Sequence, residues 1–324
     1  MVFKPVTARA HTNIALIKYW GKKDLKEMLP MNSSLSLTLD HFYTDTQVKF
    51  DPALTQDVFY LNKQVLPVSS KVQRVMNEVR HLAGINTAAK IISTNHVPTT
   101  AGLASSASAF AALAGAASRA AGLELKPRDL SRLARKGSGS ATRSIFGGFV
   151  EWQQGHDDSS SYAEQIAPAD KWDIRVIAVV IDASQKKISS SQGMARAVNT
   201  SPYYPAWIQT ATKQLKEIKQ AIKEKDFTSL GEISELNALE MHALNLSSTP
   251  HFSYFEPATI SIMNLVEQLR AQGVECYYTI DAGPNVKILC QKKSSLQVQR
   301  AVKKEIPNCQ VLESQPGPGI QFIN

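Results

Sequence analysis

Residues 98–108 read Pro-Thr-Thr-Ala-Gly-Leu-Ala-Ser-Ser-Ala-Ser and open an alanine-rich stretch that runs from Ala104 to Ala121. Small side chains let backbone N–H groups approach a phosphate closely, and a helix that follows adds the positive end of its dipole. Ser105 and Ser106 supply hydroxyls for phosphate oxygens or Mg²⁺. The segment lacks the GxxxxGK[ST] pattern of a Walker loop. It therefore predicts a phosphate-binding loop of another kind, although an ordinary tight cap of an alanine-rich helix has a similar composition.

The chain before this loop is rich in predicted strands. Period-two alternation predicts strands at 6–10, 34–39 and 46–50. Apolar residues at helical spacing then predict a helix over 69–83. Residues 88–93 are predicted to form a short strand that leads into the loop. After the alanine-rich helix, a second helix starts near Pro127. Two further strands are predicted near 148–152 and 174–181.

Beyond Asp182 the pattern becomes helical. Apolar residues recur at helical spacing over about 202–225, 228–246 and 257–271. Two strands, 276–280 and 285–290, then flank a tight turn, and a final helix and edge strand close the chain. The whole pattern predicts an α+β fold in two domains, a strand-rich one at 1–183 and a helix-rich one at 184–324.

Composition narrows the class of protein. With 324 residues, 43% of them hydrophobic and 20% charged, the chain is long enough for two cores. It has no apolar run of 18 residues and no apolar leader at its start, so we expect neither a membrane span nor a signal peptide. Its three cysteines are odd in number and lack CxxC spacing, which argues against a disulfide framework or a structural zinc site. We expect a cytoplasmic protein.

The net charge of +8 admits two kinds of partner, nucleic acid or small anionic metabolites. Nucleic-acid binding predicts clustered lysines and arginines with aromatic residues between them. The basic residues here are dispersed, with no block of five, and the distinctive residues lie in glycine- and serine-rich loops. A nucleic-acid-binding role is therefore the remote alternative, and we expect no nucleic acid among the partners.

The segment Asn13-Ile14-Ala15-Leu16-Ile17-Lys18-Tyr19-Trp20-Gly21-Lys22-Lys23 holds two lysines four residues apart, on either side of a glycine. If Leu16 and Ile17 end a strand, Lys18 and Lys22 converge at its mouth on a doubly charged anion. The alternative from this segment alone is a pair of solvated lysines beside a buried Trp20.

The segment 136–148 reads Lys-Gly-Ser-Gly-Ser-Ala-Thr-Arg-Ser-Ile-Phe-Gly-Gly. Ser138 and Ser140 offer hydroxyl donors, and Arg143 offers a planar fork that suits phosphate or carboxylate. A flexible turn is the alternative. Glycines on both sides of Arg143 favour an anion site.

The segment 279–287 reads Thr-Ile-Asp-Ala-Gly-Pro-Asn-Val-Lys and places a carboxylate, Asp281, at the exit of an apolar strand. A carboxylate held on rigid backbone suits a base or an orienting group that acts on a hydroxyl. The alternative is an ordinary aspartate in an exposed hairpin turn. In either case we expect an exposed turn carboxylate with little packing to lose, so that Asp281→Asn leaves the fold intact.

Taken in order, seven segments resemble the mevalonate diphosphate decarboxylases of the GHMP kinase superfamily. They span nearly the whole chain and read NIALIKYWGK, NSSLSLTL, PTTAGLASSAS, SGSATRSIFGG, ISSSQGM, NALEMHALNLSSTP and DAGPNVK. The resemblance implies an amino-terminal domain like domain 2 of ribosomal protein S5 and a ferredoxin-like GHMP carboxy-terminal domain, with the active site in the cleft between them. It also implies ATP-dependent decarboxylation of mevalonate 5-diphosphate to isopentenyl diphosphate, with Mg²⁺ as cofactor, and a homodimer.

The resemblance also assigns roles to residues around the substrate. Asp281 acts on the C3 hydroxyl, Lys18 keeps Asp281 ionised, and Arg143, oriented by Asn13, binds the substrate carboxylate. The residues implied to bind the rest of the substrate, chiefly its diphosphate, are Tyr19, Lys22, Ser138, Ser140 and Met194.

On the nucleotide side, the resemblance places Ser105 and Ser106 at the ATP phosphates, with Ser106 also at Mg²⁺, and Ser93 and Thr94 nearer the base. Lys187 is implied at the γ-phosphate, with its neighbour Lys186 as the alternative. The remaining residues implied to line the nucleotide site are Gly102, Leu103, Ala104 and Ser108.

The chain departs from the resemblance at Ser191, where some bacterial members have an arginine. One diphosphate contact is therefore either weaker or supplied from elsewhere. Within the superfamily, the alternative functions are a phosphomevalonate decarboxylase or a mevalonate-type kinase. Lys18, Lys22, Arg143 and Asp281 together favour the diphosphate decarboxylase.

Overall fold

The computed structural model describes residues 3–96, 105–182 and 187–323. In these ranges the strands are β1 (Val6–Ile17), β2 (Lys22–Asp24), β3 (Leu29–Pro30), β4 (Ser34–Phe50), β5 (Val58–Leu61), β6 (Gln64–Leu66), β7 (Ala89–Asn95), β8 (Phe149–Trp152), β9 (Ala163–Ala167), β10 (Ile174–Val180), β11 (Cys276–Ile280), β12 (Val286–Gln291), β13 (Gln310–Ser314) and β14 (Gln321–Ile323). The helices are α1 (Ser70–Ala83), α2 (Ser105–Ala120), α3 (Pro127–Gly137), α4 (Ser190–Thr200), α5 (Tyr204–Glu224), α6 (Phe227–Leu246), α7 (Pro257–Ala271) and α8 (Lys292–Glu305).

The larger sheet has the order β14-β1-β4-β7-β5-β6, and β8 joins it by pairing with β4 and with β9. Its centre is the long antiparallel pair of β1 and β4, which runs from Val6 opposite Val48 to Ile17 opposite Leu35. Helices α1, α2 and α3 share one apolar core with these strands. Alanines of α2 are buried in that core, and their small side chains let the helix lie close to the sheet.

The smaller sheet has the order β11-β12-β10-β13. Helices α7 and α8 cover one face of it with aliphatic side chains. Strand β10 precedes residue 183, yet its partners β12 and β13 follow it. Conversely, the last strand, β14, returns to pair with β1 in the larger sheet. The division into domains at residue 183 stays a prediction.

Hydrogen bonds join the two sheets where β1 ends. The backbone N–H of Lys18 donates to Asn237 Oδ1 of α6 at 2.7 Å. Thr279 Oγ1 of β11 donates to the carbonyl of Ala15 at 3.4 Å. The end of β1 and the end of β11 therefore lie side by side. This contact brings the segment that carries Lys18 next to the segment that carries Asp281.

Most predicted elements are confirmed, but β1 continues beyond residue 10 to Ile17, and the short strands β2, β3, β5, β6 and β9 were not predicted. The strands predicted at 34–39 and 46–50 are one continuous strand, β4. Helix α4 was not predicted, because the helical patterns recognised beyond Asp182 began only at about residue 202. Its signal was present in the sequence, since Ser189 and Gln192 form a capping box at its start. No helix of the described ranges is long and apolar enough to cross a membrane.

Candidate active site

A cavity of about 430 Å³ lies between the two sheets. Residues from five parts of the fold line it: the end of β1, the first turn of α2, the 3-10 helix Gly139–Ile145, the start of α4 and the turn after β11. Ten residues singled out in the sequence line it, namely Asn13, Lys18, Tyr19, Lys22, Ser106, Ser138, Ser140, Arg143, Met194 and Asp281. Segments separated by up to 268 positions of sequence thus form one site.

The turn after β1 needs its glycine. Gly21 has a φ of +135°, and a Cβ there would lie 2.0 Å from Tyr204 Oη. The phenol of Tyr204 donates to the carbonyl of Trp20, so its ring occupies the space in which a side chain at residue 21 would lie. This turn directs both Lys18 and Lys22 to the cavity.

Arg143 is a buried cation that forms no ion pair with a carboxylate of the described residues. Its Nη1 donates to Ser34 Oγ at 2.5 Å and its Nη2 to Asn13 Oδ1 at 3.4 Å. Its Nε has no hydrogen-bond partner, and within the described ranges no carboxylate lies within 4.0 Å of the guanidinium. Burial lowers the pKa of Arg143 to about 10. The side chain is fixed and desolvated, so it is ready to receive an anion from the cavity.

Asn13 holds that arginine. Its Nδ2 donates to Ser144 Oγ at 2.8 Å and to the carbonyl of Ser140 at 3.1 Å, which leaves Oδ1 facing Arg143. The amide is therefore oriented by the 3-10 helix that carries Arg143 itself. The sequence predicted that Asn13 and Arg143 act together, and the structure places them in contact.

Tyr19 and two serines form a wall of neutral donors beside Arg143. The Tyr19 hydroxyl is buried without a hydrogen-bond partner, and burial raises its pKa, so the phenol stays protonated at neutral pH. Its ring packs edge-on against Trp152 at 4.8 Å between centroids. Ser138 Oγ and Ser140 Oγ are 3.2 Å apart. A buried donor without a partner is unfavourable unless a ligand accepts its hydrogen bond.

Lys22 adds positive charge at the other end of the cavity. It is half-buried, and burial together with Lys71 and Arg74 nearby lowers its pKa. Lys71, from the first turn of α1, also lines the cavity, and the sequence reading missed it. No local sequence pattern identifies Lys71, because only the packing of α1 brings this lysine close to Lys22. The described lining thus carries four cations and one carboxylate, which favours polyanionic ligands.

Asp281 lies between two buried lysines. Its Oδ1 is 2.7 Å from Lys18 Nζ, and its Oδ2 is 3.5 Å from Lys287 Nζ. Both lysine side chains are 2% exposed, and that of Asp281 is 29% exposed. The expectation of an exposed turn carboxylate with little to lose was wrong. Replacing Asp281 by a neutral residue would leave two ammonium groups in the protein interior without their anion.

The groups behind this carboxylate are uncharged or cationic. Burial and the nearby Lys18 lower the pKa of His242 to about 3, so its ring is neutral at physiological pH. Its Nε2 lies 3.3 Å from the carbonyl of Ile280. Burial also lowers the pKa of Lys18, while Asp281 opposes that effect. The ammonium of Lys18 and the carboxylate of Asp281 therefore stabilise each other's charge.

Of the residues predicted to bind the nucleotide, only Ser106 lines the described cavity. Ser106 lies in the first turn of α2 at the cavity, where the positive end of the helix dipole favours phosphate. Ser93 Oγ is 3.0 Å from Thr46 Oγ1, and Ser108 Oγ is 2.8 Å from Thr44 Oγ1. Their nucleotide contacts, like those predicted for Thr94 on β7 and for the exposed Lys187, stay predictions. Gly102, Leu103, Ala104, Lys186 and the side chain of Ser105 lie outside the described residues.

The site suits Mg²⁺ bound through phosphates. No cluster of three metal-binding side chains occurs in the described parts of the chain. Mg²⁺ commonly takes only one or two protein oxygens and completes its sphere with substrate phosphates and water. The exposed hydroxyl of Ser106, at the amino-terminal end of α2, is a suitable oxygen donor. The chemistry of the residues present therefore fits a nucleotide-borne Mg²⁺.

Comparison with known proteins matches both halves of the chain to one family. Residues 10–163 match the diphosphomevalonate decarboxylase-like N-terminal domain, and residues 176–317 match the mevalonate 5-diphosphate decarboxylase C-terminal domain. The diphosphomevalonate decarboxylase of Homo sapiens is 38% identical over 306 residues, which cover 87% of this chain and 76% of that protein.

Solved structures extend the likeness to the fold. The mevalonate diphosphate decarboxylase of Staphylococcus aureus is 48% identical with a TM-score of 0.95, covering 99% of this chain and 98% of that one. MDDEF in complex with MVAPP, AMPPCP and magnesium is 49% identical with a TM-score of 0.94, covering 99% of each chain. The GHMP-type two-domain fold predicted from the sequence is thereby confirmed. By its sequence, its fold and the residues gathered in its cavity, the chain belongs to the mevalonate diphosphate decarboxylase family.

Proposed function

We propose that the chain converts mevalonate 5-diphosphate and ATP to isopentenyl diphosphate, ADP, phosphate and CO₂, with Mg²⁺. Support comes from its membership of the decarboxylase family and from a relative's structure with MVAPP, an ATP analogue and magnesium. The single observation that carries the proposal is Arg143, a buried guanidinium without a carboxylate partner, in the same cavity as Asp281. That pair suits a substrate that bears both a carboxylate and a hydroxyl.

The proposal gives a role to each cavity residue that the sequence analysis singled out. Arg143, held by Asn13, binds the substrate carboxylate. Asp281, held by Lys18, orients or deprotonates the C3 hydroxyl. The residues that bind the rest of the substrate, chiefly its diphosphate, are Tyr19, Lys22, Ser138, Ser140 and Met194.

The nucleotide approaches from the amino-terminal end of α2. Ser105 and Ser106 bind its phosphates, and Ser106 is the residue that would hold Mg²⁺. When bound, Mg²⁺ neutralises charge on the transferred phosphoryl group. Lys187, which lies three residues before the start of α4, is the candidate for the γ-phosphate. Ser93, Thr94, Gly102, Leu103, Ala104 and Ser108 are proposed to complete the nucleotide site.

The chemical sequence follows from these positions. The C3 oxygen attacks the γ-phosphorus of ATP, ADP leaves, and the hydroxyl proton passes to Asp281 or to water. The attack forms an O–P bond, and the C3–O bond of the phosphorylated intermediate then breaks with its electron pair on the departing phosphate. The bond between C2 and the carboxylate breaks in turn, its electrons form the alkene, and CO₂ departs. Arg143 keeps the carboxylate aligned with the C3–O bond throughout.

The test is to incubate the protein with ATP, Mg²⁺ and mevalonate 5-diphosphate and to quantify every product. ADP, phosphate, CO₂ and isopentenyl diphosphate are expected in equal amounts. ADP without CO₂ would identify a kinase and contradict the proposal. Mevalonate 5-phosphate is the matched control substrate, and it should react more slowly, because it carries less of the negative charge that Lys22 and its cationic neighbours attract.

Two further parts of the proposal concern the protein as a whole. We propose a cytoplasmic location, supported by three cysteines that are all buried free thiols. We also propose a homodimer, on the resemblance to the family. Analytical ultracentrifugation tests the dimer, and a mass that stays at 35.5 kDa over a wide concentration range would contradict it.

A further inference from the structure

We propose that Lys287 is a positioning residue of this enzyme, which holds the second oxygen of Asp281 and so fixes the plane of that carboxylate. The inference rests on the proposed function, because it assumes that Asp281 acts on the substrate hydroxyl. Lys18 holds Oδ1 at 2.7 Å, and Lys287 lies 3.5 Å from Oδ2. The sequence reading assigned a role to Lys18 and none to Lys287.

The β11–β12 hairpin accounts for the placement of Lys287. In its antiparallel register Lys287 lies directly opposite Thr279, two residues before Asp281. Side chains two apart on a strand share a face. Thr279 Oγ1 and Lys18 Nζ both donate to the carbonyl of Ala15. The hairpin therefore places Lys287 next to Asp281, at the carboxylate oxygen that Lys18 does not contact.

Burial shows that this lysine depends on Asp281. The Lys287 side chain is 2% exposed, and its Nζ donates to the carbonyl of Asn285 at 3.2 Å. A buried ammonium is costly unless an anion compensates it. Among the described residues, Lys18, Arg143 and His242 also interact with Asp281, and none of them supplies negative charge. Asp281 is thus the anion that makes a second buried lysine tolerable at this place.

A single lysine would not fix the carboxylate as well as two do. The terminal torsion of an aspartate is broad and roughly two-fold, so a contact to one oxygen leaves the plane free to swing. Cations at both oxygens restrict that motion. Lys287 does not line the described cavity, so it acts through Asp281 and does not touch the substrate. A misplacement of a reacting group by about 1 Å can cost roughly 100-fold in rate.

A double-mutant cycle tests the inference in the full-length protein. Lys287→Met keeps the length of the side chain and removes its charge. We expect kcat to fall by about 10- to 100-fold, with KM for mevalonate 5-diphosphate changing by less than about threefold. In the Asp281→Asn background, the same change should alter single-turnover phosphoryl transfer by less than about threefold, because the carboxylate that Lys287 positions is gone.

Lys219→Met is the matched control. It removes another lysine–carboxylate ion pair, 2.6 Å from Glu151, outside the cavity. Its kcat should stay within about twofold of the parent. If Lys287→Met does not fold, Lys287→Gln, which keeps a donor for Asn285, replaces it in the same cycle.

Two results would overturn the role of Lys287. One is an equal fold-loss in the parent and in the Asp281→Asn background, which indicates a general structural effect. The other is a higher KM with an unchanged kcat. The parent protein is assayed first, so failure of the two proposals can be told apart. A parent that produces no CO₂ contradicts the proposed function, whereas a normal parent with either result above contradicts only the inference about Lys287.

Discussion

Arg143 and Asp281 line the same cavity, but they differ in whether a group of opposite charge lies next to them. Arg143 is a buried cation whose polar contacts, Ser34 and Asn13, are both neutral. Asp281 is an anion with a buried lysine at each of its oxygens. Arg143 therefore has no ion pair with a described carboxylate until an anion enters the cavity, whereas Asp281 is already paired with two lysines in the free protein.

Under the proposed function, this difference separates the binding role of Arg143 from the catalytic role of Asp281. A desolvated, unpaired guanidinium destabilises the free protein and strengthens its attraction for a carboxylate. A carboxylate held by two cations is already in place before substrate binds, so no reorganisation is needed during the reaction. Substitutions at the two sites should therefore differ in what they change, and the predictions below test that difference.

The largest effect is expected for Asp281→Asn. The change keeps the shape of the side chain but removes its charge and basicity, so single-turnover phosphoryl transfer should fall by about 10²- to 10⁴-fold. Binding of both substrates should persist, because the charged groups of mevalonate 5-diphosphate and ATP are proposed to be held by other residues of the cavity. A variant that binds both ligands and transfers phosphate within a few fold of the parent would remove Asp281, and with it Lys18, from the mechanism.

The next effect is expected for Arg143→Lys, which keeps the charge and loses the planar fork. Losing a bidentate contact to a charged group costs about 1.5–3 kcal/mol, so mevalonate 5-diphosphate should bind about 10- to 100-fold more weakly. Affinity for ATP should change little. Isothermal titration with each ligand measures both. An equal loss for the two ligands would mean that Arg143 supports the cleft as a whole and is not a substrate contact.

These two sites differ in how far the sequence predicted them. Lys18, Asn13, Arg143 and Asp281 were identified because their motifs are local and the family resemblance covers them. Lys287 lies in one of those motifs, yet its contact with Asp281 depends on the register of β11 with β12. Register follows from how the apolar faces of strands pack, which a single sequence does not give.

Burial was the other quantity that the sequence did not give. A turn of Asp-Ala-Gly-Pro predicted an exposed carboxylate, whereas the end of β1 covers it with Lys18. Lys71 was missed for a related reason, since it reaches the cavity from a helix whose own pattern shows nothing unusual. Contacts between segments distant in sequence decide both cases.

A smaller effect is expected for Tyr19→Phe, which resembles Arg143 in lacking a partner but carries no charge. One neutral hydrogen bond contributes about 0.5–1.5 kcal/mol, so affinity for mevalonate 5-diphosphate should fall by about 2- to 10-fold. The melting temperature without ligand should not fall, because the hydroxyl has no partner to lose. A fall in melting temperature together with unchanged affinity would place the hydroxyl in the packing and not at the ligand.

The comparison of the two charge arrangements is tested most directly by thermal melts of the parent, Asp281→Asn and Arg143→Met, each with and without mevalonate 5-diphosphate. Without ligand, Asp281→Asn should melt about 5 °C lower than the parent, since it leaves buried lysines unpaired, while Arg143→Met should melt within about 2 °C of the parent or higher. With ligand, the stabilisation should survive in Asp281→Asn and be largely lost in Arg143→Met. The reverse pattern would contradict this difference between the two sites. In that pattern Asp281→Asn melts like the parent, whereas Arg143→Met is strongly destabilised and is still stabilised by the ligand.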